Sequence, residues 1–152
     1  MVRLALRVAL LLLAAAAAQA QTAITATVTA IRATATDSLD TTYDATSAAF
    51  KDALEPLDFD SFATVKTERV DLSAEAEFEV SINERYTLRF GNTQTQDDGH
   101  VMCRVTVYGK PKNGTEPVKV LQMNVRLAPG RPVMIRGLRI DEGEIIAFIE
   151  RD

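Results

Sequence analysis

Glu75-Ala76-Glu77-Phe78-Glu79-Val80-Ser81-Ile82-Asn83-Glu84-Arg85-Tyr86-Thr87-Leu88-Arg89-Phe90 alternates apolar and polar side chains on both sides of a short polar break. Alternation with a period of two marks strands buried on one face, so the stretch reads as a β-hairpin. Its register follows from the requirement that both apolar sets share one face of the sheet. A two-residue loop at Asn83-Glu84 would set Ile82 against Arg85 on the core side. A three-residue loop, Asn83-Glu84-Arg85, pairs Ile82 with Tyr86, Val80 with Leu88 and Phe78 with Phe90, and places Glu79 opposite Arg89 on the wet face. The second register is the expected one.

The same alternation runs outward from this hairpin. Downstream, Gly91 to His100 is polar and reads as a loop, Val101 to Val107 as a strand, and Gly109-Lys110-Pro111-Lys112-Asn113-Gly114 as a turn region. Val118 to Leu127 carries Leu121, Met123, Val125 and Leu127 on one face. Pro129-Gly130 turns the chain, and Val133 to Ile140 and Glu144 to Ile149 complete a meander. These last two are apolar on both faces, which predicts central strands covered on both sides.

Upstream, Phe62 to Leu72 reads as a strand of mixed phase. Thr25, Thr27 and Thr29 alternate with Ile24, Ala26, Val28 and Ala30, and the phase then slips at Ile31, Ala33 and Ala35, as at a β-bulge. A disordered leader is the alternative for this Ala/Thr-rich segment. Between these strands, Asp37-Ser38 reads as a helix cap with Asp40 in the first turn, and Leu39, Tyr43, Phe50, Leu54 and Leu57 fall on one helical face. Pro56 sets the stop, which predicts one helix over about 38–54. The fold class expected is α+β, a mostly antiparallel sheet or sandwich of seven to eight strands with that helix packed on one face.

The first twenty residues read as a cleavable signal peptide: Arg3 and Arg7 at the start, an apolar run from Val8 to Ala18, and Ala18-Gln19-Ala20 as the cleavage site. The run is too short to span a bilayer, which takes about 20 residues. Cleavage would leave residues 21–152 as a single β-rich domain, exported to the periplasm or beyond the cell and soluble. Arg3 and Arg7 are two of 17 basic residues, so their removal leaves 15 against 21 acidic ones and takes the net charge from −4 to −6. That balance argues against nucleic acid and anionic membrane surfaces as partners. With one cysteine the chain has no internal disulfide, and Cys103, in phase with the valines around it, is expected to be buried and inert.

Reactive groups are sparse. A single histidine excludes a zinc site built from several imidazoles. His100 and Cys103, three apart on an extended strand, point to opposite faces and do not make a nucleophilic couple. Asp97, Asp98 and His100 form the densest ligand set and are the candidate residues for a divalent metal, against the plainer reading of a hydrated turn. Glu75, Glu77 and Glu79 line one strand face, an ordinary pattern on a wet surface. No phosphate loop, nucleophile elbow or metalloprotease helix occurs. No catalytic residue and no cofactor are expected, and the chain is read as not an enzyme.

Leu127-Ala128-Pro129-Gly130-Arg131-Pro132-Val133-Met134-Ile135-Arg136-Gly137-Leu138 resembles a strand-turn-strand stretch of bacterial outer-membrane secretins, departing from it at Arg136, where the secretin pattern has a glycine. The mature chain as a whole is similar to small exported bacterial proteins of unassigned function. Neither resemblance carries over a site residue. The expected function is a non-catalytic interaction or structural module of an envelope or secretion assembly, working by protein contact or self-association, with the Thr-lined first strand as the accepting edge. The alternative is a small-ligand or divalent-metal binder using residues 97–100.

Overall fold

The structure is a computed structural model that describes residues 23–73 and 77–152. The signal-peptide reading, and Glu75 and Ala76 of the hairpin, lie outside the described residues. The described residues form nine strands: β1 (Thr25–Thr34), β2 (Thr42–Tyr43), β3 (Ser61–Asp71), β4 (Phe78–Ser81), β5 (Tyr86–Thr95), β6 (Val101–Gly109), β7 (Val118–Leu127), β8 (Val133–Ile140) and β9 (Gly143–Arg151). A 3₁₀ turn at Ser47–Phe50 runs into one helical turn, α1 (Lys51–Leu54). The strands form a five-stranded sheet in the order β2-β3-β1-β9-β8 and a four-stranded sheet in the order β4-β5-β6-β7. All pairings are antiparallel except the short β2–β3 contact.

The hairpin takes the expected register. Phe78 faces Phe90, Glu79 faces Arg89 and Val80 faces Leu88, and the Ile82 N–H donates to the Tyr86 carbonyl at 2.9 Å. Asn83 closes the loop, its side-chain oxygen accepting from the Arg85 and Tyr86 N–H groups at 2.9 and 2.7 Å. The phase slip in β1 is also present, as a register shift against β3 between Ala30 and Ile31. It re-aims the chain so that β1 serves two cores.

The larger core lies between the sheets and gathers Val28, Val70, Leu88, Phe90, Val105, Val107, Leu127, Ile135, Leu138 and Ile149. The smaller covers the opposite face of the five-stranded sheet. There Ile31, Phe62, Ile146 and Phe148 meet Leu54, with Tyr43, Phe50, Leu57 and Phe59 packed around them. Phe50 stacks on Phe148 at 4.2 Å between ring centroids and Tyr43 on Phe62 at 5.1 Å. Consequently Ile145 to Ile149 are all buried, which is the two-faced burial expected for β9.

Five expectations are corrected. The helix over 38–54 is reduced to the turns at 47–54. Asp37 has φ 57, and the Asp60 carboxylate accepts from the Thr36 and Ser38 N–H groups at 2.8 and 2.9 Å, so these amides are satisfied without a helix. Leu39, the first residue of the supposed stripe, is fully exposed. Tyr43, Phe50, Leu54 and Leu57 do share a packing surface, but as residues of an irregular cover.

The segment 91–100 is not all loop, because β5 continues to Thr95 past a bulge between Gly91 and Gln94. β8 is an edge rather than a central strand, with Met134 38% exposed, and the turn at Pro129-Gly130 passes from one sheet to the other instead of extending a meander. β1 is no edge at all: it is paired on both sides, by β3 and β9.

Candidate functional site

The acidic loop is built by the β5–β6 turn. The Gln96 N–H donates to the His100 carbonyl at 2.8 Å, and Gly99, at φ 82, lets the chain reverse. Asp98 is wholly engaged within the fold. Its carboxylate accepts from the His100 N–H at 3.0 Å, lies 2.9 Å from His100 Nδ1 and is ion-paired with Arg126 on β7. The backbone N–H of His100, then the imidazole and the Arg126 charge, hold Asp98 below the usual carboxylate range against a desolvation penalty. The Gly99 carbonyl is capped by Arg151. Asp97 is exposed and does not join this network. Among the described residues no group of three or more His, Cys, Asp or Glu side chains comes close enough to hold a metal ion.

Cys103 sits in the inter-sheet core, 2% exposed, where burial pushes its thiol up to about 11. A thiol so protonated is a poor nucleophile.

Two further depressed carboxylates, Asp44 and Asp60, brace the cover over the smaller core. Asp44 accepts from the Ser47 N–H at 2.7 Å, and from the Thr64 N–H and hydroxyl at 2.5 and 2.9 Å. Those bonds, the Ser47 backbone first, lower its pKa strongly. Asp60 is lowered chiefly by the Thr36 hydroxyl and N–H. Both tie the 36–47 segment to β3 and the residues just before it.

The outward face of the four-stranded sheet has a different character. Because β4, β5, β6 and β7 each turn one side to the core, Arg89, Arg104, Lys119 and Arg126 stand on the other, with Arg85 and Lys110 at its end. Within an acidic chain this is a concentration of positive charge, relieved by Glu77 and Glu79 at the β4 end and by Asp98 at Arg126. Arg89 lies between them, 2.5 Å from Glu79 and 3.6 Å from Glu77. Its guanidinium also covers the Tyr108 ring at 4.6 Å and donates to the Tyr108 hydroxyl at 3.2 Å.

At one end of this face a concavity of about 210 Å³ is lined by Glu79, Arg85, Thr87, Arg89, Tyr108, Lys110 and Pro117. Arg85, one of its lining residues, has its Nε buried without a hydrogen-bond partner. A second concavity, about 300 Å³, is lined by Phe59, Arg139, Ile140, Gly143 and Glu144. In the second, Glu144 is already spoken for. Burial raises it, but hydrogen bonds from Arg136 at 3.0 and 3.1 Å and from the Gly137 N–H at 2.8 Å outweigh that and leave it lowered.

No protein-family model, curated protein or solved structure matches this chain. Its chemistry is thus read from its own surface. The structure brings Asp98 and His100 together in contact with Arg126, and it leaves Asp97 apart. Reading along the chain missed the Arg85 concavity altogether, since Arg85 looks like a loop residue and Lys110 like part of a turn. Only the β5–β6 register, which sets Thr87 opposite Tyr108, draws them together. The alternation of Arg85, Thr87 and Arg89 was the available signal.

Proposed function

We propose that this chain is a non-catalytic, exported interaction module that accepts a protein strand along the outer edge of β7, as an accessory of an envelope or secretion assembly. The observation that carries the reading is the length and openness of that edge. β7 is ten residues long, ends the four-stranded sheet and, among the described residues, has β6 as its only ladder partner. An unpaired row of backbone N–H and C=O groups of this length is a template for strand addition. The other edges are less suitable, since β2 has two residues, β4 has four, and β8 is broken by the irregularity between Ile135 and Leu138. Val118 and Val120, 53% and 52% exposed, add apolar surface at the start of β7. Beyond the bulge at Val120, Leu121 to Leu127 stay in regular register with β6 and so keep a straight edge. Export rests on the basic and apolar character of residues 1–20.

The test is photo-crosslinking from position 120 or 124 in the mature chain, alone and in envelope extract. One defined adduct, to a partner or to a second copy, is expected, and Val118→Lys with Val120→Lys should reduce it severalfold while the fold is retained. A chain that remains monomeric and gives no defined adduct overturns the reading.

A further inference from the structure

We infer that the concavity at the Gly109 end of the four-stranded sheet is a binding site for a small oxyanion, with Arg85 and Lys110 as its charge-bearing ligands and Thr87 and Tyr108 as its hydroxyl donors. The site is independent of strand addition at β7.

Four features of the concavity lead there. Arg85 lines it while its Nε–H, buried, has no acceptor. A buried donor left unmade is costly, and a guanidinium is well matched to a planar carboxylate or a tetrahedral phosphate or sulfate. Lys110 stands across from it, joined to Arg85 through the backbone, its N–H donating to the Arg85 carbonyl at 2.9 Å. Among the described residues Lys110 takes part in no ion pair, so its ammonium has no acid to displace. Tyr108 already accepts a hydrogen bond from Arg89 at 3.2 Å, which leaves its own proton for a ligand oxygen.

Two of the acids near the concavity are committed elsewhere. Glu79, which also lines the concavity, is bound by Arg89 at 2.5 Å. Asp141, whose charge acts on Arg85 from the β8–β9 turn, is paired with Lys112 at 2.7 Å. Two cations therefore face a space of about 210 Å³, enough for a small anion, and the Glu79 and Asp141 charges are taken up by other basic groups. The ring of Tyr86 beneath Arg85, 5.3 Å from the guanidinium carbon, holds that side chain against the sheet and limits the freedom it would lose on binding.

Inorganic phosphate, sulfate and acetate, titrated separately into the full mature chain and followed by amide and side-chain NMR shifts, distinguish tetrahedral from planar oxyanions. Saturable shifts centred on Arg85, Thr87, Tyr108 and Lys110 are expected for at least one of them, with a dissociation constant of about 1 mM or tighter. Lys110→Ala and Arg85→Gln should each weaken binding about tenfold or more. Lys110 is exposed, so its variant keeps the test valid if Arg85→Gln disturbs the hairpin. Lys119→Ala, on the same sheet face but outside the concavity, should leave the affinity unchanged. Non-saturating shifts spread over all the basic residues, or equal loss with Lys119→Ala, overturn the site.

Discussion

The five-stranded sheet is covered on both faces, by the other sheet and by the 36–59 segment, whereas the four-stranded sheet is covered on one and turns a positively charged face to water. The sequences of their strands carry this difference. β9 runs Ile145-Ile146-Ala147-Phe148-Ile149 without a polar interruption and is buried throughout. β5 and β6 alternate, so their Arg and Thr residues face out while Tyr86, Leu88, Phe90 and the valines face in. Burial on two faces makes a strand a structural pillar and removes it from contact with partners. Burial on one leaves a surface whose charges and edge are free to act, which is why both proposals fall on the same sheet.

The largest break in this comparison is expected from Phe148→Ala. Phe148 is 1% exposed and stacked on Phe50, and its loss should destabilise the protein by about 3–5 kcal/mol in urea denaturation. Met123→Ala, at a half-buried site on β7, should cost less, about 1–2 kcal/mol. Equal losses at the two positions would abolish the distinction between pillar and surface sheet.

A smaller effect is expected from Asp44→Asn, which loosens the cover alone and should cost about 1 kcal/mol at neutral pH. Since the folded pKa of Asp44 lies below its unfolded value, its stabilisation is complete above about pH 5 and falls as the carboxylate protonates at lower pH. The stability difference between wild type and variant should therefore shrink on acidification below about pH 4. A difference that persisted unchanged to pH 2 would deny the carboxylate this role.

The smallest effect belongs to Glu79→Gln on the open face. Its pair with Arg89 is exposed and salt-screened, so the denaturation midpoint should hardly move. A substantial drop would show that the charged face contributes to stability as the second core does.

What was legible along the chain was local. The hairpin at 78–90 could be registered because its two halves are neighbours and a slip of one residue would put Arg85 in the core. The bulge at Ala30/Ile31 was legible because the phase change is written in consecutive residues. The helix over 38–54 was misread because a helical stripe of Leu39, Tyr43, Phe50 and Leu54 has the same spacing as an irregular segment pressed onto a sheet. Asp60, more than twenty residues away, decided between them by taking the Thr36 and Ser38 amides.

The expectation of β1 as an accepting edge failed for a related reason. Thr25 and Thr27 stay on the wetter face, half-exposed, but β1 has β3 and β9 on its two sides, and the two hydroxyls bond to Arg69 on β3 and to Asp152, just after β9, at 3.0 and 2.9 Å. At the candidate sites the same limit applies. The neighbours Asp97, Asp98 and His100 stood out, yet Arg126 from β7 is what engages Asp98, and the Arg85 concavity needed β5 and β6 in register.

The amino-acid order by itself determined the strand pattern, the faces, the hairpin register, the bulge and the buried state of Cys103, because each depends on side-chain alternation over a few residues. Tertiary structure decided which strands became edges, that β7 and β8 part into different sheets, that residues 36–47 forgo a helix, and which cations gather around an empty space. Those outcomes depend on contacts between segments far apart in the chain, where burial and long-range hydrogen bonds outweigh local preference.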